Sequence, residues 1–159
     1  MQSVVRNLNE TYEATPGAVA QARAQLAGFA AEVGAGPDQV DAVRLAASEA
    51  MTNCILHAYR GEPGEIQLNA AVVSGELWIQ IADAGSGLSP RTDRPGLGLG
   101  LGLISQVSDD FAIVSRASGG TEVRIRFNLG AGGSGPGSDG PPRGERQSRF
   151  RPTLSAALS

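Results

Sequence analysis

EIQLNAAVVSGELWIQIADAGSG, Glu65 to Gly87, holds the pattern that decides the fold. Its two halves, EIQLNAAVV and ELWIQIAD, alternate apolar and polar residues with period two, as half-buried strands do. The SGE between them is too short for anything but a hairpin. A tight antiparallel hairpin is not the crossover that a doubly wound sheet requires. The second strand then ends in an aspartate followed by glycines, D-A-G-S-G, where the chain turns sharply.

Working outward, the segments before the hairpin read as helical. VVRNLNETYEA predicts a first strand, and Thr15 predicts a helix cap with Pro16 at the favoured first position. The helix that follows spaces Val19, Ala22, Leu26, Phe29 and Val33 along one face and ends at Gly34 and Gly36. Pro37 opens a second helix, predicted to run unbroken to Arg60. Asp38 and Asp41 lie in its first turn, and Val40, Val43, Ala47, Ala50, Cys54 and Ala58 form its apolar stripe.

After the hairpin comes GLGLGLGLI, Gly96 to Ile104. Four glycines alternate with leucines there, although glycine costs about 0.5–1 kcal/mol relative to alanine in a regular element. A short helix over Leu101, Leu103, Ile104 and Val107 follows. The strands FAIVSRA and TEVRIRF flank a turn at SGG. Early helices and later antiparallel strands predict an α+β, two-layer sandwich, with a mixed, mainly antiparallel sheet and helices on one face. Residues 1–129 read as one domain. Residues 130–159, rich in Gly, Pro, Ser and Arg, read as a disordered tail.

Composition removes whole classes of chemistry. The 159-residue chain has no lysine; all 13 basic residues are arginine. A P-loop and a eukaryotic-type protein kinase both need a lysine on the phosphates, and Schiff-base chemistry needs one as nucleophile. With one histidine a multi-histidine metal site is excluded, and with one cysteine no structural zinc site is expected. The net charge of −3 gives no electrostatic case for direct nucleic-acid binding. No apolar run reaches the roughly 18 residues needed to cross a membrane, and no signal core opens the chain. A cytoplasmic protein is expected.

The chemistry-bearing residues fall in a fixed order. Glu49, Asn53 and His57 lie at i, i+4 and i+8 on the second helix. Asp83, Gly85 and Gly87 form a D-x-G-x-G box. Gly96, Gly98, Gly100 and Gly102 form the glycine run before a helix, and Gly119–Thr121 opens the last strand. An aspartate at a strand end can accept from the exocyclic amine of a base. An asparagine can offer a neutral oxygen to Mg²⁺. Backbone N–H groups of the glycine run can cradle phosphates without a lysine, with Leu101 and Leu103 anchoring the run to the core.

This order resembles the GHKL superfamily of ATP-binding domains, shared by type II topoisomerases, mismatch-repair ATPases, heat-shock chaperones and sensor histidine kinases. The boxes that carry it are E-x-x-x-N at Glu49 and Asn53, D-x-G-x-G at Asp83, and the glycine run. SEAMTNCILHAY looks most like the bacterial anti-sigma-factor serine kinases. The resemblance implies a Bergerat-type fold, ATP and Mg²⁺ as cofactors, and Glu49 as the base acting on a partner's serine. It also implies Thr121 near the adenine, and Arg91 and Arg94 near the γ-phosphate from a lid shortened to LSPRTDRP. The implied partners are a sigma factor and an anti-anti-sigma protein of STAS type, with homodimerisation as a family habit. The competing reading is a nucleotide-dependent switch without turnover. A histidine-kinase catalytic domain lacks its dimerisation helices here, and no G-x-S-x-G supports a serine hydrolase. His57 reads as a packed or helix-end histidine, and Cys54 as a small core residue.

Overall fold

The two period-two runs form neighbouring strands whose inward residues are apolar up to Asp83. The computed structural model describes residues 6–60, 62–85 and 101–130; the expected tail, apart from Gly130, lies outside them. The hairpin strands are β2 (Glu65–Val73) and β3 (Glu76–Asp83), paired from Ile66↔Asp83 to Val73↔Glu76. Ser74 and Gly75 turn the chain with φ of +52° and +76°, the two positive values that a type I′ turn requires. Around them lie β1 (Asn7–Glu13), β4 (Asp110–Ser115) and β5 (Thr121–Asn128). The sheet order is β1-β2-β3-β5-β4. Every pairing is antiparallel, so the expected mixed sheet is antiparallel throughout the described residues.

Alternation divides the sheet into two unlike faces. Ile66, Leu68, Leu77, Ile79, Ile81, Ile125 and Phe127 are buried on one face. Against it pack α1 (Pro16–Glu32), α2 (Pro37–Asn53) and α3 (Leu101–Val107), through Ala22, Leu26, Ala30, Val43, Ala47, Met51 and Ile104. Burying each Leu, Ile, Phe or Met here contributes about 1.5–3 kcal/mol. The many alanines let α1 and α2 approach closely. The other face is polar. Asn69 donates to Gln80 at 3.3 Å, Gln80 contacts Glu122, and Glu122 pairs with Arg124. Arg126 lies 6.0 Å from the Trp78 ring centre and pairs with Glu76.

The helix ends mostly follow their sequence signals. Thr15 is the N-cap of α1 but makes no side-chain capping bond; its carbonyl receives the Ala18 N–H instead. Gly34 (φ +100°) closes α1: its N–H reaches Ala31 O, and the Ala35 N–H reaches Ala30 O. That double bond satisfies two carbonyls left open at the helix end. α2 departs from expectation. It stops at Asn53, and Cys54–Ala58 continue as a π-helical turn, with the Tyr59 N–H on Cys54 O at 3.1 Å. The wider turn means that the four-residue step from Asn53 to His57 no longer closes one α-helical turn.

Candidate functional site

Asp83 stands where the inward alternation of β3 would place the next core side chain after Leu77, Ile79 and Ile81. It is 4 % exposed. A cavity opens beside it, lined by Ala50, Asn53, Cys54, Ala58, Asp83, Thr121 and Val123. A buried carboxylate is costly unless hydrogen-bonded. Here Oδ1 accepts from the N–H groups of Gly85 (3.1 Å) and Thr121 (3.2 Å), and Oδ2 accepts from the Cys54 thiol at 3.7 Å. Burial raises the carboxyl above its ordinary pKa. These bonds and the Arg116 guanidinium oppose that shift without cancelling it.

The backbone around Asp83 is equally constrained. Arg116 Nη1 donates to the Asp83 carbonyl at 3.1 Å. Gly120 (φ +90°) passes so close that a Cβ there would lie 1.9 Å from the same carbonyl oxygen. At Gly85 a Cβ would lie 2.5 Å from Ala58 O. Glycine at these two positions is therefore a contact requirement. The Tyr59 hydroxyl accepts from the Ala84 N–H at 2.8 Å and donates to Glu65 O. It ties the end of β3 to the start of β2.

α2 brings the acid and the amide to the same region. Glu49 and Asn53, one turn apart, are both half-buried. Asn53 lines the cavity, and its Nδ2 is buried with no hydrogen-bond acceptor. Glu49 and His57 are outside the cavity lining. Thr121 is buried, and its N–H is one of the two on Asp83 Oδ1. Gly102 lies in the first turn of α3 and is exposed. The expected anchoring by Leu103 is not seen. That residue is 42 % exposed, and Ile104 instead fills the core, because a seven-residue helix offers few inward positions. The expected phosphate and lid residues Gly87, Arg91, Arg94, Gly96, Gly98 and Gly100 lie outside the described residues, as does the side chain of Leu101.

Four contributors carry little local signal. Sequence alone assigns no role to Tyr59 or Arg116, places Gly120 only within the Gly119–Thr121 turn, and reads Cys54 as core. Tyr59 follows the helix directly and Gly120 sits in a G-G-T turn, which are weak local signals. Arg116 reaches Asp83 from 33 residues away, and no local pattern announces that.

Residues 12–127 match the family model described as histidine kinase-like ATPase domain. The anti-sigma F factor of Caldanaerobacter subterraneus is 28% identical over 120 residues, spanning 69% of this chain and 84% of the relative. The anti-sigma F factor of Clostridium botulinum is 34% identical over 122 residues, spanning 68% of this chain and 85% of the relative. Among solved structures, the RsbU and RsbW domains of a Mycobacterium tuberculosis protein superpose with a TM-score of 0.60 at 25% identity. That match covers 77% of this chain and 32% of the longer one.

Proposed function

The chain belongs to the histidine kinase-like ATPase domain family, and from that premise we propose that it binds ATP with Mg²⁺ and works as an anti-sigma-factor serine kinase. Asp83 carries the reading. A carboxylate placed at a core position, held by two N–H groups and a thiol, and bordering a cavity is arranged to be an acceptor. In this reading Asp83 accepts from the exocyclic amine of adenine.

The residues present fit the cofactor. Asn53 has a buried amide nitrogen with no acceptor, an orphaned polar group at the cavity wall. With Nδ2 turned inward, its Oδ1 is the atom left to ligate Mg²⁺. Bound ATP·Mg²⁺ supplies an electrophilic γ-phosphoryl group whose charge the metal offsets. Glu49, one turn earlier, would take the proton from a partner's serine hydroxyl as that oxygen bonds to the γ-phosphorus and the bond to the departing ADP breaks. By the family resemblance, the N–H groups of Gly98, Gly100 and Gly102 would hold the phosphates and Arg91 and Arg94 would pair with the γ-phosphate, while Thr121, whose N–H is on Asp83 Oδ1, would support the base end. The name anti-sigma F factor supports a sigma factor as the sequestered partner; an anti-anti-sigma protein of STAS type as the phosphate acceptor follows from the resemblance to the anti-sigma-factor serine kinases.

Phosphate transfer from labelled ATP to each STAS protein of the same organism tests this directly. Glu49→Ala should bind ATP within a few-fold of wild type while transfer falls by a factor on the order of 10² or more. Wild type that binds a partner in an ATP-dependent way but phosphorylates none would leave a switch without turnover. Unchanged transfer in Glu49→Ala would remove Glu49 as the base.

A further inference from the structure

We propose that Cys54 is a positioning residue for base recognition, its thiol holding Asp83 Oδ2 in the orientation that meets the adenine amine. The inference rests on the nucleotide-binding reading above and concerns a residue that the ATP-binding motifs do not include.

The two carboxylate oxygens of Asp83 are unequally occupied. Oδ1 already accepts two backbone N–H groups, from Gly85 and Thr121. A carboxylate oxygen has about two acceptor sites, so Oδ1 is filled. Oδ2 has one described partner, the Cys54 thiol at 3.7 Å. It is therefore the oxygen with a free acceptor site, and the thiol beside it fixes where that site points. Cys54 is 3 % exposed and lines the same cavity as Asp83. It is the first residue of the π-helical turn, immediately after Asn53. The π-turn thus begins by aiming a donor at the end of β3.

The thiol is suited to a fixed role as donor. It is buried from solvent, and the carboxylate oxygen 3.7 Å away is the acceptor its S–H meets. The other groups that face Asp83 contact different atoms. Arg116, from the turn between β4 and β5, meets the main-chain carbonyl, and Tyr59 meets the Ala84 N–H. No other described residue holds Oδ2.

The test measures ATP and ITP affinity across pH for wild type, Cys54→Ala, Cys54→Val and Cys54→Ser, with thermal melts to confirm folding. ITP carries a carbonyl in place of the exocyclic amine and so cannot donate from that position to the aligned oxygen. Cys54→Ala should weaken ATP by about threefold to tenfold, the value of one modest hydrogen bond. ITP affinity should change little. The pH at which ATP affinity is lost on acidification should move upward, because Asp83 loses a donor that favours its ionised form. Cys54→Ser, which restores a donor, should recover most of both effects. Should Cys54→Ala fail to fold, Cys54→Val carries the same expectation with the volume kept. Equal weakening of ATP and ITP, or an unmoved pH profile, overturns the proposal and makes Cys54 a packing residue. Wild type that binds no ATP instead overturns the nucleotide reading itself, and the wild-type arm alone reveals it.

Discussion

Gly119→Ala and Gly120→Ala form a matched pair that isolates the close approach between the β4–β5 turn and the end of β3. Both glycines have strongly positive φ, +95° and +90°. Alanine in either place carries a similar backbone strain, about 1–3 kcal/mol. Their surroundings differ. A Cβ at Gly119 meets nothing within 4 Å, whereas one at Gly120 would lie 1.9 Å from the Asp83 carbonyl oxygen, 2.7 Å from its carbon and 2.8 Å from Ala84 Cα. All three are backbone atoms, so the overlap is relieved only by moving the start of β5 away from the end of β3. That movement breaks the bond from the Thr121 N–H to Asp83 Oδ1. A hydrogen bond to a charged group contributes about 1.5–3 kcal/mol, so Gly120→Ala should destabilise the fold by that much more than Gly119→Ala. The difference corresponds to roughly a tenfold to hundredfold change in the folding equilibrium. Urea denaturation of both variants beside wild type measures it, and calorimetric titration with ADP should show weakened binding only for Gly120→Ala. Equal destabilisation of the two variants, with equal nucleotide affinity, would refute the claim that this contact builds the site.

Asp83→Asn should weaken ATP or ADP binding by about 1.5–3 kcal/mol, roughly tenfold to a hundredfold, by isothermal calorimetry. Its pH behaviour has two opposite signs. The native carboxyl titrates above its ordinary value, so its ionisation costs native stability: wild-type stability relative to Asp83→Asn should fall as pH rises through that range, while nucleotide affinity relative to the variant should rise. Chelation of Mg²⁺ by EDTA should weaken ATP binding strongly, because no lysine exists to take over on the phosphates; equal calorimetric affinity with and without the metal would remove Asn53 as its ligand. Tyr59→Phe should cost about 0.5–1.5 kcal/mol in urea denaturation, since the Ala84 N–H and the Glu65 carbonyl lose their shared hydroxyl.

What could be read from the sequence was whatever one element declares by itself. Period two placed β2 and β3 to the residue, and the Ser74-Gly75 pair fixed their turn. Prolines marked the starts of α1 and α2, and Gly34 marked an end. Asp83 was legible because a charged residue interrupts an inward apolar series at a strand end. The rest depends on contacts between elements. The π-turn at Cys54–Ala58 was hidden because one added residue per turn leaves a short apolar stripe nearly unchanged. Leu103 was misassigned because a leucine beside a buried isoleucine has the same local pattern whichever of them faces in. Arg116 and Tyr59 act through hydrogen bonds to backbone, which leave no trace in residue type or spacing.

The strand order has a consequence for how the molecule comes into being. β1, β2 and β3 pair antiparallel side by side, and β2 follows into β3 through a two-residue turn. The β3–β5 seam joins Asp83 to Thr121 across 38 positions of chain, and β1 reaches β2 across a longer interval still, Tyr12 pairing with Ile66. Closing such an interval is paid in chain entropy before any contact rewards it, and pairings of this kind slow folding. The cavity straddles that seam, so the local β2–β3 hairpin can assemble while the binding site is still absent. Capacity to hold a ligand then arises only once that seam is paired, and a ligand that bridges Asp83 and the β5 side favours the paired seam over every state in which it is open.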